Sequence, residues 1–108
     1  MTISKNNFKK HVIDSTGLTL VQFKTEWNGA CQIISFIYND LAKSYKGVAN
    51  FYTVDTEEEN ELDNEYRITE LPTILFFKSG QVIDHAVGLI PKTVLISKIE
   101  NALINPTN

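Results

Sequence analysis

Cysteine occurs once in this 108-residue chain, at position 31. One thiol cannot close an intramolecular disulfide, nor can it supply the several thiolates of a structural zinc cage. A chain without structural disulfides suits a reducing compartment. Positive charge is also in short supply: ten Lys and Arg against thirteen Asp and Glu leave a formal net charge of −3. That balance argues against a nucleic-acid binder that works by neutralising phosphates. Long apolar runs are missing, since no stretch approaches the roughly 20 residues that span a bilayer. The segment from Met1 to Lys10 lacks the apolar core of a secretory signal. The triplet Asn105-Pro106-Thr107 fails as a glycosylation site because proline occupies its middle position. A cytoplasmic protein with neither nucleic acid nor membrane as partner is expected.

What is present suits one compact domain over residues 1–108, with 43% of residues hydrophobic. A chain of this size buries about 65% of its unfolded surface and needs no staples. Ser4 is placed to cap a first helix carrying Phe8 and Val12 on one face. Leu18 to Phe23 is apolar on both faces, the pattern of a central buried strand. From an Asn28 cap, the stripe Ile33, Ile37 and Leu41, widened by Ile34 and Tyr38, predicts a long helix closed at Gly47. Val48 to Val54 is β-branched and aromatic and predicts a second buried strand. Thr56 is expected to cap a short acidic helix ending near Tyr66. Residues 73–77 and 81–87, joined by Ser79-Gly80, predict an antiparallel hairpin. Pro91 suits a first helical position, and Leu95, Ile99 and Leu103 carry a last helix to the carboxyl end. The order α-β-α-β-α-β-β-α predicts a parallel pair, 18–23 with 48–54, plus an antiparallel edge. The fold class is α/β: a central mixed sheet with helices on both faces.

The segment Leu20 to Cys31 reads Leu-Val-Gln-Phe-Lys-Thr-Glu-Trp-Asn-Gly-Ala-Cys. Together with Val54-Asp55, Leu71-Pro72-Thr73 and Gly88, at this spacing, it resembles the thioredoxin family over nearly the whole chain. The resemblance implies a thioredoxin fold. It also implies a Trp-Cys-Gly-Pro-Cys motif, whose first cysteine attacks a substrate disulfide and whose second resolves the mixed disulfide. Here the motif is Trp27-Asn28-Gly29-Ala30-Cys31. Asn28 stands at the attacking position, and Cys31 at the resolving one. The buried aspartate that helps move the resolving cysteine's proton matches Gln22, and the lysine that faces it in many members matches Phe51. Buried charges are costly to keep without a purpose, and their loss here accompanies the loss of the attacking thiol. Ala30 replaces the proline between the cysteines. Phe36 replaces a helix-kinking proline, so a straighter central helix is expected.

The family's binding apparatus is kept. Leu71-Pro72 resembles its cis-proline loop, and an X-Pro bond costs only about 0.5–1 kcal/mol to be cis. With Trp27, Gly88 and the 68–71 stretch it implies a shallow apolar groove that takes an extended protein or peptide partner. Cys31 reads as a small buried hydrophobe, or as a monothiol that forms mixed disulfides, glutathione adducts or a disulfide dimer; ligation of a metal or cluster would demand dimerisation, with one thiol per chain. The chain is otherwise expected to be a monomer. Trp27 is either a packing residue or a binding anchor, and Asn28 is most simply a cap. The run Glu57 to Asp63 reads as a solvated helix face. His11 and His85 have no ligand-like neighbours in sequence. No phosphate loop, metalloprotease helix or serine elbow is present, so no metal or cofactor is expected. Any enzyme activity rests on Cys31 alone.

Overall fold

The computed structural model describes residues 1–104, so the predicted continuation of the last helix beyond them lies outside the described residues. Helix α1 (Lys5–Phe8) begins at an Ser4 cap. The Ser4 N–H donates to Asn7 Oδ1 at 2.8 Å. It runs into a π-helical turn, Lys9–Ile13, closed by Asp14 N–H donating to Lys9 O at 2.8 Å. This wider turn still buries Phe8 and Val12 together. Then follow β1 (Leu18–Lys24), α2 (Gly29–Ser44), β2 (Asn50–Asp55), α3 (Asn60–Glu65), β3 (Thr73–Lys78), β4 (Gln81–Val87) and α4 (Lys92–Ile104).

The four strands form one sheet in the order β2-β1-β3-β4. β1 and β2 pair in parallel, with Leu20 opposite Phe51 and Gln22 opposite Thr53. The other two pairings are antiparallel. Helix α2 supplies the crossover that a parallel pair requires. Ser79 (φ +52°) and Gly80 (φ +79°) make the two-residue hairpin turn, both in the left-handed region that matches strand twist. Gly80 has a second constraint, since a Cβ there would sit 2.8 Å from Ile13 O.

Side-chain alternation sends the sheet's residues into two cores. Leu18, Leu20, Ile74 and Phe76 pack against Ile34, Tyr38 and Leu41 of α2 and Leu95 and Ile99 of α4. Val21, Phe23, Leu75 and Phe77 pack against Ile3, Phe8, Val12 and Leu62 on the opposite face. β1 is thus covered on both sides, and only Lys24 at its end emerges. The result is the α/β mixed sheet, helices on both faces, that the element order implies.

Four local expectations are corrected. The buried face of α2 is Cys31, Ile34, Tyr38 and Leu41, whereas Ile33 is 52% exposed; a 3.6-residue period follows the 3-4-3 spacing better than strict fours. Val48 is exposed before β2 begins. Thr56 does not cap α3, because residues 55–59 first make a turn in which Asp55 O accepts from Glu58 and Glu59 N–H; the helix starts at Asn60, and Glu59 takes the cap position. Pro91 immediately precedes α4, and its carbonyl accepts from Val94 and Leu95 N–H. Helix α2 passes Phe36 without interruption.

Candidate functional site

Register brings the motif and the proline loop to one end of the sheet. Phe23 lies opposite Thr73, and Thr73 lies opposite Val87. The segment leaving β1, the Leu71-Pro72 loop entering β3, and Gly88 leaving β4 therefore share that end. Gly88, at φ +80°, donates its N–H to Pro72 O at 2.8 Å. The Leu71–Pro72 peptide bond is cis. Pro72 is buried, and Leu71 packs against the Phe23–Phe77 core. Ile68 does the same and contributes less free surface than the sequence suggests. Trp27 is 81% exposed at this end, a large apolar surface with no cover.

Asn28 is the α2 cap: its Oδ1 accepts from Cys31 N–H at 2.9 Å. This satisfies one of the amide donors that every helix start leaves unpaired. Gly29 and Ala30 form the first turn of α2. A Cβ on Gly29 meets nothing within 4 Å, so the backbone does not demand glycine there. Cys31 is only 1% exposed. Its residue forms one wall of a cleft of about 370 Å³ between the Lys24–Glu26 segment and Ser35 and Phe36 of α2.

Beneath the motif, Gln22 is 1% exposed, and its Nε2 donates to Ser35 Oγ at 3.2 Å. A neutral amide paired with a hydroxyl occupies the place where the resemblance implies an aspartate. Phe51 packs edge-on to Tyr38 and stacks on Tyr45, with centroids 5.3 and 6.5 Å apart. The Tyr38 hydroxyl lies 2.6 Å from Tyr52 O and 3.0 Å from Leu20 O, one proton shared between strands. Burial pushes the Tyr38 phenol well above its usual range and keeps it neutral. Gln22, Ser35, Tyr38 and Phe51 thus form a floor that holds no charge. Ser35 and Tyr38 escaped the sequence reading as members of this floor. The available signal was their spacing from Cys31, four and seven residues along the same helix.

Charge sits farther out. Burial, aided by the neighbouring charge of Asp55, raises the Asp63 carboxyl to about 6. Its Oδ1 is buried without a hydrogen-bond partner among the described residues. No cluster of three or more His, Cys, Asp or Glu able to hold a metal ion occurs among the described residues. No described helix is long and apolar enough to cross a membrane.

The Thioredoxin family model matches residues 1–101. The chain belongs to the thioredoxin family. Among curated relatives, Thioredoxin 1 of Nostoc sp. is 34% identical over 101 residues, 94% of each chain. The Thioredoxin of Chlorobaculum thiosulfatiphilum is 33% identical over 94 residues, 87% of each. Thioredoxin M-type, chloroplastic, of Spinacia oleracea is 33% identical over 101 residues, 94% of this chain and 56% of the relative. This thioredoxin-family chain has a four-stranded mixed sheet, a cis Leu71–Pro72 bond and one cysteine.

Proposed function

We propose that this chain is a peptide- or protein-binding module that does not turn over disulfides. Dithiol exchange needs one thiolate to attack a substrate disulfide and a second to break the mixed disulfide. At the attacking position an amide is engaged in holding the helix start, and the single thiol is 1% exposed. That pairing is the observation that carries the reading. The floor of Gln22, Ser35 and Phe51 supports it further, because none of these side chains exchanges a proton near neutral pH. The partner segment lies in the groove beside Pro72, against Trp27, Leu71 and Gly88. The proposal includes a monomer without cofactor, in the cytoplasm.

The test uses carboxymethylated insulin B chain, an extended peptide without free thiol. Amide shifts at Trp27, Leu71 and Gly88 are expected on titration, unchanged by Cys31→Ser. Loss of those shifts in Cys31→Ser, or their absence in the parent, refutes thiol-independent binding.

The cleft that reaches Cys31 favours a second reading, a monothiol redox protein. In it the Cys31 thiolate attacks one sulfur of oxidised glutathione. A new Cys31 S–S bond forms, the old S–S bond breaks, and a glutathione thiolate leaves. Alkylation of the native protein by iodoacetamide at pH 7 separates the two. The binding-module reading expects strong protection relative to the unfolded chain, whereas alkylation as fast as in urea selects the monothiol.

A further inference from the structure

The two edges of the sheet are finished differently. On the outer side of β2 the chain's own amino-terminal residues add a short bridge: Ile3 N–H donates to Thr53 O at 2.8 Å, and Thr53 N–H donates to Met1 O at 2.9 Å. β4 forms the other edge, and no described strand or bridge covers it. Val82, Ile83 and Val87 are exposed by 44%, 41% and 39%, with Asp84 and His85 between them and a register shift against β3 beside Ile83. An edge strand is a pairing template even where a charge and a bulge restrict what it takes.

Beside β4 lies a groove of about 310 Å³, closed on its far side by residues 66–70. Leu75 and Ile68 give it apolar walls, and its ionisable side chains include Arg67, Glu70 and His85. Arg67 is the chain's single arginine and sits at φ +54° as the left-handed residue that closes α3, where Ile68 N–H donates to Asp63 O at 2.9 Å. Its guanidinium makes no hydrogen bond or ion pair among the described residues.

We propose that β4 and this groove take an extended peptide segment carrying an acidic side chain. The segment pairs with the outer edge of β4, and every second side chain turns to the groove. Its carboxylate meets the Arg67 guanidinium, a fork suited to two parallel hydrogen bonds. The His85 N–H now donates to Asp84 Oδ1 at 2.8 Å. An incoming carbonyl replaces that contact while Asp84 keeps its Lys98 partner at 3.1 Å. A second copy of β4 fits less well, since two-fold pairing centred on the strand sets Asp84 against Asp84. This site stands whether or not the groove beside Pro72 binds anything.

The probe is the acetylated and amidated hexapeptide Thr-Val-Thr-Glu-Thr-Val, compared with its Lys counterpart, at low salt. Expected are amide shifts over 82–87 and 67–70, with the Glu peptide bound about fivefold more tightly, the upper range for an exposed charge pair. Arg67→Gly suits the backbone and removes the guanidinium, so the fold persists and the preference for Glu disappears. The proposal is overturned by absent shifts, by shifts confined to Trp27 and Gly88, by equal affinities, or by a preference that survives Arg67→Gly. Shifts over β4 that grow with protein concentration alone also overturn it, in favour of a second copy.

Discussion

Replacing Asn28 by cysteine supplies the attacking thiol that the resemblance implies and removes a helix cap in one step. The side chain of Asn28 makes one specific contact, Oδ1 to Cys31 N–H at 2.9 Å. Deleting such a cap costs about 1 kcal/mol, which lowers the melting temperature of a domain this size by about 4–8 °C. Asn28→Ser keeps a capping oxygen without a thiol, so it should melt within about 0.5 kcal/mol of the parent. In insulin reduction with dithiothreitol, Asn28→Cys should gain catalytic turnover and Asn28→Ser none. The gain should stay below that of a two-cysteine thioredoxin, because the Gln22 amide takes no proton from Cys31. Adding Gln22→Asp should raise it. An Asn28→Cys variant as stable as its parent would refute the capping argument. If the introduced thiol is readily alkylated and turnover is still absent, the missing attacker is not the deciding departure. At least one of Gln22, Ala30 and Phe51 would then be disabling.

Asp63 gives a pH signature opposite to that of most carboxylates. Its folded-state value is raised to about 6, so ionisation costs stability as pH rises from the unfolded value through 6, and the cost is absent in acid. The full shift corresponds to about 3 kcal/mol, which solvent screening of this partly exposed group cuts to roughly 1 kcal/mol. Asp63→Asn should therefore stabilise the protein by that amount at pH 7.5 and hardly at pH 4, as read from urea melts; an equal gain at both values contradicts the assignment. At the hairpin, Gly80→Ala must place a Cβ 2.8 Å from Ile13 O at φ +79°, with an expected loss of about 2–3 kcal/mol. Gly47→Ala, at φ +83° with nothing within 4 Å, should lose only about 1 kcal/mol, and equal losses would remove the steric argument.

The legibility of this fold follows from where the physics is local. Ser79-Gly80 between two apolar runs announces the hairpin because that turn needs two left-handed residues. Leu18 to Phe23 announces a central strand because both its faces are apolar. The α2 stripe is ambiguous in sequence. Ile33 and Ile34 are equally apolar, and only packing against β1 decides that Ile34 is buried. The π-helical turn at Lys9–Ile13 carries no composition signal. Thr56 is an acceptable cap by type, but the turn in which Asp55 O accepts from Glu58 and Glu59 N–H delays the helix to Asn60. At the site, Asn28 as cap and Cys31 as the lone thiol are readable from the motif. The Gln22–Ser35 bond and the Tyr38 hydroxyl between two strands are not, because each needs α2 laid on the sheet. The open groove beside β4 is invisible in sequence, since it depends on which edge the amino-terminal residues cover.

We propose that this thioredoxin-family chain does not turn over disulfides. Insulin disulfide reduction by the parent protein with dithiothreitol tests it most directly. The expected rate is indistinguishable from that of dithiothreitol alone at any protein concentration. A rate that rises with added protein and turns over many times per Cys31 would contradict it.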